Sequence, residues 1–375
     1  VLRVIILLTI ISSNIYFPQS EYYPLKDSLR FQGEKHLRNI KQLTFGGNNA
    51  EAYWSFDNKQ LIFQSDWSAI NDQGCDQIFR MNADGSPLAG GNRYELISTG
   101  TGRTTCSYFL ADGKIVYAST HEANNKCPET VMFKEGRYVW PIYTGYDIFV
   151  YDPVSRVTES LITNEGYDAE ATVSPDGKYM VFTSTCSGDL ELYRYEFSTG
   201  EILQLTDTPG YDGGAFFSPD SRSIVWRASR PTGEEAESYM RLLSDNLVEP
   251  KALNIYISDI DGGNVRQVTN LDGANWAPFF HPDGEKILFS SNHHSLAQGG
   301  RIFDIFMINP DGTGLEQITN SGTFDAFPMF SFDGKRLVFA SNRNASRTPT
   351  RDTNIFVAEW IENPDEADIN FNSVK

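Results

Sequence analysis

At 375 residues the chain is long enough to bury a core as one large domain or two ordinary ones. Its 49 acidic residues outnumber 31 basic ones for a net charge of −18, a field that repels phosphate backbones and excludes nucleic acid as a partner. A cation, a basic protein surface or a neutral ligand suits that charge better.

Residues Val1 to Ile11 hold Arg3 and then an apolar run ending at Ser12-Ser13-Asn14. The run is shorter than the ~20 residues of a membrane-spanning helix, but it has the form of a signal-peptide core. Residues 1–20 are therefore read as a signal peptide or, uncleaved, as an N-terminal anchor that would be the chain's one membrane contact. Residues 21–36 read as a polar, aromatic-dotted linker.

From residue 37 one unit recurs. In its clearest copy, Ala169, Ala171 and Val173 alternate as a half-buried strand and Tyr179 to Thr183 form a second. Ser174-Pro175-Asp176-Gly177 joins them, with proline presetting φ at the second position of a type I turn. The turn aligns as Ser55-Phe56-Asp57-Asn58, Leu110-Ala111-Asp112-Gly113, Ser174-Pro175-Asp176-Gly177, Ser218-Pro219-Asp220-Ser221, His281-Pro282-Asp283-Gly284 and Ser331-Phe332-Asp333-Gly334. A short apolar strand follows each turn. After a variable gap comes a third strand, such as Gln77-Ile78-Phe79 or Asn354-Ile355-Phe356, and then a fourth ending in pairs such as Leu205-Thr206.

Four strands at a period of roughly 40 to 60 residues predict an all-β fold, a six-bladed β-propeller over residues 37–361. The first repeat opens with a fourth-strand motif, Lys41-Gln42-Leu43-Thr44, whereas the last has none after Trp360. The N-terminal strand is therefore expected to close the ring inside the last blade, removing a free edge. Residues 362–375 read as a loosely held acidic tail.

Leu205-Thr206, Phe217-Ser218-Pro219-Asp220 and Val268-Thr269 with Phe280-His281-Pro282-Asp283-Gly284 resemble the WD40-like PD40 repeats of the TolB C-terminal propeller. The resemblance covers about residues 37 to 360. It implies an exported or periplasmic six-bladed propeller that binds other molecules, and the separate α/β domain that precedes the TolB propeller is not expected here.

The long insertions, Asp66 to Asp76, His121 to Tyr146, Arg230 to Leu253, Asn292 to Phe303 and Arg343 to Thr353, all fall between second and third strands and so share one face. Binding residues on loops held by a rigid scaffold are expected there. At the channel mouth on that face stand Asn49, Thr104, Asp168, Asp212, Asn275 and Asp325, with Glu51 and Glu170 two residues deeper. Such oxygens suit a polar ligand or a hard cation; Asp168, Asp212 and Asp325 are the candidate ligands for Ca²⁺ or another divalent ion. The competing use is capping of the turns into the inner strands. Arg103, His121, His293 and Arg343 are the ligand-binding candidates of the loops.

Cys75, Cys106, Cys127 and Cys186 lie on the same face, and in an exported chain Cys75–Cys106 and Cys127–Cys186 are the bridges suggested by adjacent blades, among three possible pairings. Tyr138, Trp140, Tyr143 and Tyr146 form an aromatic cluster, read either as a sugar or peptide platform or as a small core beneath its own loop. Gly233 to Leu243 reads as an amphipathic helix with its acids first and Arg241 late.

No nucleophile elbow and no P-loop occur. The expected function is binding of an envelope protein, peptide or glycan through the loop-rich face and channel mouth, ahead of catalysis. The alternative is a metal-dependent hydrolase or lyase with Asp168, Asp212, Asp325 and His293 at the mouth.

Overall fold

The computed structural model describes residues 29–343 and 351–364. The proposed signal or anchor, the first half of the linker and most of the acidic tail lie outside the described residues.

Each repeat begins at the turn. The Asp carboxylate accepts the backbone N–H two residues on: Lys59, Lys114, Lys178, Arg222, Glu285 and Lys335, at 2.7–3.2 Å. In four copies a serine hydroxyl also donates to that carboxylate, as Ser55 does to Asp57 at 2.7 Å. This local closure is why Asp recurs in all six turns and why each turn stays short.

The turns join strands into six four-stranded antiparallel sheets. Blade one runs Asn49–Trp54, Gln60–Ser65, Gln77–Asn82 and Glu95–Leu96 from the axis outward. Blade two runs Thr104–Phe109, Ile115–Ser119, Asp147–Asp152 and Val157–Ile162, and blade three Asp168–Val173, Tyr179–Ser184, Glu191–Glu196 and Ile202–Gln204. Blade four runs Asp212–Phe217, Ser223–Ala228, Asn254–Asp259 and Arg266–Gln267, and blade five Asn275–Phe280, Ile287–Ser291, Asp304–Ile308 and Glu316–Gln317. Blade six takes Asp325–Phe330, Arg336–Ser341 and Asn354–Trp360, and its outermost strand is the N-terminal Leu37–Gln42.

Blades pack face to face through fully buried side chains such as Trp54, Phe63, Phe182, Trp226, Phe289 and Phe339. They are also stitched by backbone. The N–H of Asn49, Thr104, Asp168, Asp212, Asn275 and Asp325 donates to the carbonyl just before the third strand of the neighbouring blade, at 2.8–3.1 Å. The same atoms thus hold the ring together six times over.

The insertions of blades one, two, four and five follow the second strands as expected, and most of the blade-six insertion lies outside the described residues. Glu234–Ser244 is the helix read from the sequence, burying Tyr239 and Leu242. The blade-two insertion crosses blade three and pairs Trp140–Pro141 with Leu247–Val248 of the blade-four insertion, making a two-stranded lid. The cysteines need correction. The bridge is Cys75–Cys127, with Cα atoms 5.8 Å apart, whereas Cys106 and Cys186 are free. Cys106 cannot reach either partner because it sits buried on an innermost strand, and Cys186 lies exposed in the tight turn after blade three's second strand. Among the described residues no helix is long and apolar enough to cross a membrane.

Candidate functional site

Innermost strands with unbroken alternation would aim their first and third residues the same way. They do not, because each is bulged. The register slips in all six, and the third residue takes a left-handed backbone: φ is 53° at Glu51, 42° at Cys106, 59° at Glu170, 59° at Gly214, 51° at Ala277 and 55° at Phe327. A bulge re-aims a side chain at a conformation few non-glycine residues adopt. Here it brings third-position residues of different blades together around the axis.

Glu170 and Glu51 are the acids of that ring. Glu170 accepts Thr183 Oγ1 at 2.7 Å, the Tyr211 hydroxyl at 3.0 Å and the Gly214 N–H at 2.9 Å, and is ion-paired with Arg227. Burial opposes its charge, but Arg227 and these donors more than offset that, holding it below the usual carboxylate range. Blade four must have glycine at the third position, because a Cβ on Gly214 would fall 1.8 Å from Arg227 Nη1. Glu51 has no cation of its own. It accepts the Tyr53 hydroxyl at 3.3 Å, and burial lifts it to about 7, with the Cys106 thiol acting against the rise and Glu170 adding to it. The Cys106 thiol is itself pushed far up by burial and then by the two acids.

Below the ring the channel is closed. Tyr53 of blade one stacks on Phe216 of blade four, directly opposite, at 6.0 Å, with Tyr108 and Phe279 beside them. Above, the lid sets Trp140 edge-on to Tyr211 and Trp276 at 6.5 and 6.1 Å, with the Arg227 guanidinium 5.6 Å from its ring. These groups surround the axis as an aromatic floor, a charged wall in which Glu51 and Glu170 keep some accessible surface, and a tryptophan in the roof, here called the axial chamber. The lid is tied to blade one by Cys75–Cys127 and to blade four by strand pairing.

The residues read as a mouth ring are placed otherwise. Asn49, Thr104, Asp168, Asp212, Asn275 and Asp325 are all fully buried where the blades are stitched. Asn49 Nδ2 donates to the Gly46 and Thr353 carbonyls, Thr104 donates to the Asp76 carbonyl, and Asn275 Nδ2 donates to the Leu253 carbonyl. Asp168 accepts Asn164, Asp212 accepts Trp226 Nε1 and a two-pronged Arg230, and Asp325 accepts Arg343. Asp168, Asp212 and Asp325 do not converge. Among the described residues, three acidic or imidazole ligand atoms come within 4.8 Å only at His281, Asp283 and Glu362, away from the axis.

His121 and His293 lie over Phe149 and Phe306 with Nδ1 bonded to Ser119 and Ser291, and burial lowers both. Arg103 pairs with Asp76 and Arg343 is wholly buried between Glu34 and Asp325. Sequence reasoning missed Arg227 and Tyr211. A lone cation in the apolar strand Ile224 to Ala228 was the available signal, since a charge is buried in such a strand only if paired.

A second pattern involves the first residue of each third strand. It is an amide in blades one, four and six (Gln77, Asn254, Asn354) and an acid in blades two, three and five (Asp147, Glu191, Asp304). Burial lifts those acids to about 6, 8 and 7. The position asks for a neutral group, supplied by an amide or by a protonated acid. The folded state therefore holds protons that the unfolded chain has released, so stability fully present below about pH 4 is lost progressively as pH rises through about 6 to 8. We expect the urea midpoint of the native protein to fall between pH 5.5 and 8.5, and a Glu191→Gln, Asp304→Asn double variant to flatten that fall. An equal slope in both would refute it.

Outside the chamber, the lid carries a hairpin, Phe133–Lys134 paired with Arg137–Tyr138. Its apolar side chains face water: Phe133 is 66% exposed, Met132 53% and Tyr138 46%. Of the four aromatics read as one cluster, Tyr138 is thus outside, while Trp140, Tyr143 and Tyr146 pack at the mouth. A cleft of about 290 Å³ adjoins the hairpin, lined by Val131, Pro141, Ile142, Tyr143 and Leu247.

Fold and site define a lidded six-bladed propeller whose chamber and loops lie on one face. Residues 246–348 match the PD40 family, described as the TolB beta propeller domain. Over those residues the chain is similar to the PD40 repeats of TolB propellers. It is 26% identical over 197 residues to the Tol-Pal system protein TolB of Francisella tularensis subsp. mediasiatica, an alignment covering 45% of this chain and 44% of that protein. The chain thus spans under half the length of the curated relatives it matches.

Among solved structures, putative TolB from Agrobacterium tumefaciens superposes with TM-score 0.53 at 17% identity, covering 86% of this chain and 97% of that one. A gluconolactonase from Xanthomonas campestris gives 0.55 at 13%, covering 87% and 91%. Likeness at such identities shows the fold alone.

Proposed function

We propose that this is an exported, periplasmic propeller that binds an envelope protein, peptide or glycan through its lid-bearing face. The observation carrying the reading is the exposed hairpin of Met132, Phe133 and Tyr138 on a lid fixed at both ends. Adjacent large apolar side chains held in water on a rigid support mark an interaction surface. A relative that is named a Tol-Pal system protein fits an envelope partner. The hydrolase or lyase reading has less support, because Asp168, Asp212 and Asp325 do not converge on one point.

The test is photo-crosslinking in the envelope from a probe at position 133, against a control probe at Lys178 on the turn face. The expected result is a discrete adduct from position 133 that Met132→Asp with Tyr138→Asp reduces at least tenfold, without changing the melting temperature. Equal adducts from both faces would overturn the reading.

A further inference from the structure

We propose that the axial chamber is a binding site for an ammonium group, carried by a free primary amine or by a lysyl side chain, with Glu51 as its counter-ion. The site is separate from the exposed hairpin, so either assignment can fail alone.

Charge is the first argument. The wall carries two acids and one cation, and the terminal nitrogen of that cation is committed: Arg227 Nη2 bonds Glu170 and Tyr211, and the guanidinium lies over the Tyr211 and Trp140 rings, with Nε left unpaired. Glu51 is left with a hydroxyl and a thiol. An acid placed in such surroundings without a cation calls for one from outside.

Surface is the second. Tyr53 and Tyr108, set edge to face at 5.6 Å, are the rings left to line an organic cation beside Glu51, since the Arg227 guanidinium already lies over Tyr211 and Trp140. Glu51 is enclosed by protein yet retains accessible surface, as do Ala50, Gln64 and Thr105 beside it. The roof contacts of Trp140 fall over blades four and five.

A monovalent group fits better than a divalent metal. Glu170, the other oxygen donor in reach, already has four partners.

The groups facing Glu51 are Tyr53 on its own strand, Cys106 and Glu170 from the next two blades, Arg227 from blade four, and Asp76 from the blade-one insertion. Of these, Cys106 and Tyr53 are pushed well above neutrality and Glu170 is held low, leaving Glu51 to titrate near 7. An ammonium ligand requires its ionised form, so affinity should rise roughly tenfold from pH 6 to pH 8 as that form fills.

Calorimetry with the native protein tests this using n-butylamine and, separately, an end-blocked peptide with one central lysine. Saturable binding of either at pH 8, weakened about tenfold at pH 6 and at least tenfold by Glu51→Gln, is the expected result. Amine alone identifies a small-molecule ligand, and peptide alone a lysyl side chain. Should Glu51→Gln prove unfolded by circular dichroism, the pH dependence of the native protein decides. No binding of either probe at millimolar concentration, pH-independent binding, or displacement of the amine by equimolar Ca²⁺ would overturn the assignment.

Discussion

An Arg343→Ala protein should unfold about 3–5 kcal/mol more easily than the native one, the scale set by stripping a buried ion cluster of its cation. The Arg343 side chain is wholly inaccessible. Its Nη2 lies 3.1 Å from both Glu34 Oε1 and Asp325 Oδ1, Nη1 donates to the Leu29 carbonyl at 3.1 Å, and Nε donates to Ser341. Burial already raises Glu34 above its ordinary value, and Arg343 is the first influence that restrains it. Without the arginine two carboxylates face one another in the dry interior, and the chain before the first strand loses its main anchor. Urea denaturation measures the loss, and limited proteolysis should cut near residue 34. An Arg343→Met, Glu34→Gln, Asp325→Asn triple variant should recover most of the stability, since it removes the uncompensated charge. A single variant as stable as the native protein would show that the cluster contributes little.

A comparable loss, about 3–5 kcal/mol, is expected for Arg227→Met, for the same physical reason at a different place. Glu170 would keep its hydroxyl and amide donors but lose its counter-charge, and Trp140 would lose the guanidinium beneath it. The two arginines should be separable by what loosens. Arg227→Met should increase hydrogen exchange in the lid around residues 138–142 and leave residues 29–36 protected, whereas Arg343→Ala should do the reverse. Adding Glu170→Gln to Arg227→Met should restore stability without restoring the lid. If exchange rises uniformly in both variants, the two clusters are not local.

The blades were legible because their signals are local. An Asp that bonds two residues ahead, a Ser that bonds the Asp and an apolar triplet afterwards are all written within ten residues, as at Ser174 to Phe182. The insertions were legible from their lengths, and the helix from its charge order. The site was less so. Period-two reasoning assumes a strand without bulges, and the left-handed third residue of every innermost strand breaks that assumption just where side chains meet the axis. Glu51 and Glu170 were noticed, but as followers of Asn49 and Asp168, whereas the bulge makes them the wall and leaves the others between blades.

The disulfide failed for a related reason. The blade-two insertion folds back toward blade one, a path no local pattern records, so adjacency of blades suggested the wrong partner for Cys75. Arg227 was overlooked because its partner, Glu170, is 57 residues earlier.

The strand that finishes blade six comes from the beginning of the chain, Leu37↔Trp360 in register. Five blades can assemble in order as the polypeptide is made, each beside a neighbour already formed. The sixth must wait for its last three strands and then recapture a segment that has been unpaired since the start. Until it does, both Leu37–Gln42 and Asn354–Trp360 present open hydrogen-bonding edges, the form in which chains join one another instead of themselves. Closing so long a loop adds little to its thermodynamic cost but delays it, because distant contacts form last. The interval between the release of the final strand and its capture is thus the moment at which this molecule is most exposed to aggregation and to proteases.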